Sequence, residues 1–173
     1  MQAVAEGVVE TIVEATKSVF NTMISMDVEP GAPFYQDERM IKTDIMALVG
    51  FTGKYNGTIS IFCHFNMALK IASNMLGMPL DVINGDVKDA VGEVANIIAG
   101  NVKTKLTGTF GEMMLTIPLV IAGNSLSIST TVKEYEMVVV SSLSCTSKDS
   151  WLMIPFDSER EKIHVGLMIR KIL

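Results

Sequence analysis

A glutamate and an asparagine three residues apart, Glu93 and Asn96, are the side chains here whose types and spacing best suit chemistry. They lie in DVKDAVGEVANIIAGNVKTKL, Asp86 to Leu106, where Val87, Val91, Val94, Ile98, Val102 and Leu106 recur at helical spacing. That spacing predicts a helix with one apolar face turned to a core. Residues three apart on a helix sit about one turn from each other on one side, so the carboxylate and the carboxamide project together. At about 100° per residue, Asp89, Glu93, Asn96 and Gly100 fall beside the apolar stripe, nearer to solvent. A carboxamide donates and accepts hydrogen bonds, so it can orient a water without being a strong base. A carboxylate can hold a cation through a charge-assisted contact. Gly92 and Gly100 lie within the same run, each costing ~1 kcal/mol relative to alanine. Such a cost is easiest to tolerate where another backbone must come close. The set reads as a docking face more naturally than as a pocket, and a plain solvated helix face is the competing reading of the spacing alone.

The segment DAVGEVANIIAGNVKTKL resembles the signature helix of the CheX/CheC/FliY family of chemotaxis phosphatases, in which an acidic or serine residue is followed by ExxN. Asp89 opens the pattern, Glu93 and Asn96 form its core, and Pro118 in TIPLVIAG lies at about the family's distance downstream. Gly50 to Leu80 is similar to the CheX hairpin and its short helix, and the opening helix running into VEPGAPF is similar as well. The resemblance covers most of Val8 to Ser129 and is stronger for CheX than for CheC, whose members usually carry two ExxN helices. It implies a phosphatase acting on the aspartyl phosphate of a CheY-like response regulator. Carried over, Asn96 orients the attacking water and Glu93 anchors the regulator's lysine. Asp89, Gly92 and Gly100 line the face that receives the partner. Mg²⁺ comes with the regulator, the protein needs no cofactor of its own, and two copies pair through their sheets into a homodimer. The alternative is a non-catalytic module that binds or senses a regulator with the same helix face. An intact Glu93–Asn96 pair favours the enzyme, because a pure binder has no use for a water-orienting amide.

The elements that must carry this helix are legible in outline. Residues Ala3 to Met26 predict a first helix, with Val8, Ile12, Ala15, Val19, Met23 and Met26 on its buried face. Pro30, Gly31 and Pro33 stop it and open a turn-rich connector. Ile41 to Phe51 and Thr58 to Phe65 predict a hairpin about the turn Thr52 to Gly57. Asn66 caps a short helix to Leu76 that Gly77 closes. Strands follow at Glu112 to Ile121 (broken by Pro118 and hence an edge or a strand end), Leu126 to Val132, Glu136 to Cys145, Ser150 to Phe156 and Lys162 to Ile172. Met137 to Val140 is apolar throughout, which suits a central strand. The expected class is α+β: two long helices packed on a mostly antiparallel sheet, in two similar helix-plus-strands halves.

The chain has 173 residues, 49% hydrophobic and 19% charged, which suits one domain over residues 1–173. A formal charge of −5 and a pI near 5.0 argue against non-specific nucleic-acid binding. No apolar run approaches the ~20 residues of a spanning helix. The opening MQAVAEGVVETIVEATK has no basic start and is acidic early, unlike a signal peptide, so a cytoplasmic location is expected. Cys63 and Cys145 form no CxxC pair and read as buried, reduced thiols. His64 and His164 have no HxxxH or HxxE companion, so no metal site is expected. Ser141-Ser142-Leu143-Ser144 lacks the glycine elbow of a hydrolase nucleophile. The 13 methionines read as core filling. Lys103 and Lys105 suit the carboxyl end of the signature helix.

Overall fold

In a computed structural model of the chain, the described residues are 2–37, 43–126 and 150–171. The strand expected at Glu136 to Cys145, most of the one at Leu126 to Val132, the serine cluster and Cys145 lie outside them. The long helices are α1 (Gln2–Val19) and α3 (Gly85–Phe110), with the shorter α2 (Phe65–Leu76) between them in sequence. The described strands are β1 (Glu29–Pro30), β2 (Phe34–Asp37), β3 (Thr43–Gly53), β4 (Tyr55–Cys63), β5 (Met113–Leu115), β6 (Leu119–Leu126), β7 (Ser150–Ser158) and β8 (Glu161–Lys171). They form one sheet in the order β1-β7-β8-β4-β3-β5, with β2 also on β7 and β6 also on β3. Every described pairing is antiparallel. This is the α+β class expected from the sequence.

Alternation along the strands sends one set of side chains toward the helices. Ile45, Ala47, Val49 and Phe51 of β3 join Ile59 and Ile61 of β4 in the core that α1, α2 and α3 cover. On the other face Met46, Phe62, Trp151 and Met153 form a second buried cluster. Helix α3 packs on both α1 and α2 and lies over β3, β4, β5 and β6. All six apolar stripe residues of α3 are buried. Burying them contributes on the order of 10 kcal/mol, well above the ~3 kcal/mol that Gly92, Gly100 and Gly108 together cost the helix. Tertiary burial, more than propensity, therefore holds α3 in place.

Four local expectations are corrected. The first helix does not keep one phase to Met26: after Val19 a π turn spans Phe20–Ile24 and Ser25 takes φ 54°. The wider turn brings Phe20 and Ile24 into the core and leaves Met23 36% exposed. The connector at Pro30–Pro33 is flanked by two short strands on β7, Glu29 facing Asp157 and Phe34 facing Met153. The turn Thr52–Gly57 narrows to a bend, because Thr52 and Gly53 pair with β5 while Tyr55 and Asn56 pair with β8. Finally, His64 and not Asn66 occupies the cap position of α2, without a capping bond from its side chain. Asn66 lies inside the helix and its amide donates to Glu161 at 3.4 Å.

Candidate docking and active site on α3

Asn84 sets the phase of α3. Its side-chain oxygen accepts the Val87 N–H at 3.0 Å, satisfying one of the free donors at the helix start. With the apolar stripe buried, Asp89 and Glu93 are exposed and Asn96 and Gly100 are half-buried. At helical spacing Asp89, Glu93 and Asn96 fall within about 60° of one another. None of their side chains joins the hydrogen bonds or ion pairs formed among the described residues. An amide and a carboxylate thus face solvent one turn apart, on a helix whose opposite side is locked into the core. That arrangement can hold a water and a cation presented by another molecule; it encloses no substrate.

The two glycines part company. Gly92 was expected on the docking face but is buried. A Cβ there would lie 3.0 Å from Val120 Cγ2 and 3.9 Å from Pro118 Cβ and Cγ. The space a side chain would take is filled from within, by β6 and the proline before it. Gly100 is different, since a Cβ there would meet nothing within 4 Å. Among the described residues no packing contact requires that glycine.

Pro118 belongs to a connector between β5 and β6 that lies against α3 one turn from Asn96. Across from it, the Thr116 N–H donates to the Gly50 carbonyl at 2.8 Å. The Gly50 N–H in turn donates to Thr116 Oγ1 at 2.9 Å. Ile117, between these two anchors, is 87% exposed. Sequence reasoning passed over Ile117; its signal was an isoleucine at the proline break of an otherwise strand-like run.

The other candidates carry less chemistry. Lys105 pairs with Glu14 of α1, while Lys103 borders an apolar crevice with Val102, Leu106 and Phe110. His64 gains a companion that only the fold supplies: its Nδ1 lies 2.9 Å from Asp44 Oδ2 on the neighbouring strand. His164 meets the Phe34 ring edge-on at 6.1 Å. Burial holds its pKa below the ordinary histidine value, and Lys162 adds to the depression. Cys63 is buried, and burial, then Asp44 and Glu161, push its thiol up to about 12, so it stays protonated and unreactive. Among the described residues no three His, Cys, Asp or Glu side chains gather to hold a metal. Among the same residues no helix is long and apolar enough to cross a membrane.

The described residues thus form an antiparallel sheet layered with helices, one of which carries Glu93 and Asn96 on its solvent side. Residues 45–142 match the family described as chemotaxis phosphatase CheX, and the chain belongs to that family. The CheY-P phosphatase CheX of Thermotoga maritima is 24% identical over 122 residues, 70% of this chain and 79% of the relative. A crystal structure of chemotaxis protein CheX from Desulfovibrio desulfuricans superposes with a TM-score of 0.79 at 29% identity, over 94% of this chain and 99% of that one. The CheX–CheY–BeF₃–Mg²⁺ complex from Borrelia burgdorferi has a TM-score of 0.70 at 27% identity, over 94% of this chain and 97% of that one.

Proposed function

We propose that this protein dephosphorylates the aspartyl phosphate of a CheY-like response regulator, with α3 as the face that enters the regulator's site. The observation that carries the reading is the accessible pair Glu93 and Asn96, one turn apart on the solvent face of α3, in a chain of the CheX family. Water attacks phosphorus in line with the acyl oxygen, the bond from phosphorus to that oxygen breaks, and the carboxylate and inorganic phosphate are released. The Asn96 amide accepts from and donates to the attacking water, fixing its direction. Glu93 pairs with the regulator's lysine and holds the two proteins in register. Mg²⁺ on the regulator neutralises the phosphoryl oxygens; the Borrelia complex, which contains Mg²⁺ with CheY, supports that division of labour. Asp89 and Gly100 border the same face, Asp89 adding negative charge and Gly100 leaving room for the partner's backbone.

The protein acts as a single unit and as a homodimer in this reading. Among the described strands β6 pairs with β3 alone, and its Leu119 and Ile121 are 59% and 37% exposed. Exposed apolar side chains on a sheet face invite a second copy, and a two-fold pair leaves both α3 faces free.

The test is phosphate release from the host's CheY-like regulators, labelled with acetyl phosphate, with and without the protein. Asn96→Ala should abolish the acceleration while the protein stays folded, since a half-buried helix amide empties no core. Loss of a water-positioning group costs ~2–4 kcal/mol of barrier, roughly 30- to 1000-fold in rate. Wild-type turnover by Asn96→Ala removes the catalytic role. Tight binding of a phosphorylated regulator without any release by wild-type protein selects the non-catalytic alternative.

A further inference from the structure

Ile117 is 87% exposed, the most exposed large apolar side chain among the described residues, yet its backbone is firmly held. Thr116 is bonded to Gly50 through both its N–H and its hydroxyl, and that hydroxyl also donates to the Ile117 carbonyl at 3.0 Å. On the other side Pro118 has a fixed φ and lies against the bare backbone of Gly92. Thr116 sits opposite Gly50 and Leu119 opposite Leu48. Two residues, Ile117 and Pro118, therefore stand against Val49 alone, as in a bulge that re-aims a side chain. Pro118 is turned to α3 and Ile117 is left in water. Nothing in the core uses Ile117, and a preorganised apolar side chain is the kind of contact that gains most when a partner covers it.

We propose that Ile117 is an apolar contact for the receiver domain of the phosphorylated regulator, setting affinity beside the Glu93–Asn96 pair. This rests on the proposed function, and it adds to that reading a residue that binds but takes no part in chemistry. Continuity of the surface selects the occupant. A Cβ at Gly92 would lie 3.9 Å from Pro118, and Gly92 lies about one turn, ~5.4 Å, from Asn96 on the same helix. A folded domain of about 100 residues has a radius of gyration of ~13 Å. A receiver domain seated over Asn96 is wide enough to reach the connector as well, whereas Leu119 and Ile121 lie farther along β6.

The experiment titrates wild type, Ile117→Ser, Ile117→Leu and Asn96→Ala with the host's CheY-like regulators carrying BeF₃⁻ and Mg²⁺. It also measures KM and kcat for phosphate release. Ile117→Ser should raise both Kd and KM about tenfold with kcat within about twofold, and Ile117→Leu should restore wild-type values. Asn96→Ala should show the opposite split, normal binding and lost kcat. Wild-type release with equal titrations for Ile117→Ser overturns the role of Ile117 and leaves the phosphatase standing. Neither binding nor release by the wild type overturns both. A fall in molecular mass of Ile117→Ser by light scattering, with affinity per monomer unchanged, would assign Ile117 to the contact between copies and overturn the proposal as well.

Discussion

At Glu93 the charge should matter more than the shape. Glu93→Gln keeps the volume and the hydrogen-bonding reach of the side chain but removes the ion that would meet a regulator's lysine. Left in solvent, such a pair is worth only ~0.2–1 kcal/mol. Covered by a docked partner, its loss costs ~2–5 kcal/mol, largely because the lysine stays buried without a counter-charge. Glu93→Gln should therefore raise Kd for the phosphorylated regulator by about 1.5 to 3.5 orders of magnitude, with less effect on kcat at saturation. Added salt should narrow the gap, since steering between exposed charges is screened. Titrations of the two proteins giving the same Kd would take the anchoring role away from Glu93.

The scale of the element is where the glycines of α3 separate. Gly92 serves the fold, because Val120 and Pro118 occupy the space of its side chain. Among the described residues nothing packs against the position of a Cβ at Gly100. Gly100→Ala should thus stabilise the protein by ~0.5–1 kcal/mol through helix propensity alone. The same substitution should weaken binding of the phosphorylated regulator, where a methyl group would keep the partner's backbone away from Asn96. Urea denaturation and a titration on one sample decide the matter. A variant that is more stable and binds as wild type would leave Gly100 without a docking role.

For the whole molecule, the question is how many α3 faces one particle presents. Val120 of β6 packs toward α3, and Leu119 and Ile121 on either side of it are 59% and 37% exposed and, by strand alternation, turned to the other face of the sheet. Pairing of two sheets through that face would leave the Glu93–Asn96 pair of each α3 open to a regulator. Light scattering at micromolar concentration should give a mass near twice 18.8 kDa, and calorimetric titration should give one regulator per chain. Replacing Leu119 with lysine should shift the mass toward a monomer while phosphate release per chain persists. A monomeric mass for wild type that holds on concentrating would remove the dimer.

Much of the candidate site's geometry could be read before any fold was known, because it sits on one helix. Periodicity alone phases α3: once Val87, Val91, Val94, Ile98, Val102 and Leu106 are turned inward, Asp89 and Glu93 must face out. The family follows from that stretch together with Gly50 to Leu80 and the opening helix, and α1, α2 and the strands on both sides of the β3–β4 bend are legible from their own patterns. Tertiary structure decided what depends on neighbours distant in sequence. It buried Gly92 under Val120, gave His64 a partner in Asp44, and drew Phe20 into the core through a π turn. It also turned the residues around Pro30 into edge strands, since β7 was there to pair with them. Ile117 belongs to this second group. Its exposure comes from a bulge anchored at Gly50 and Gly92, two contacts made by separate elements that no local pattern encodes.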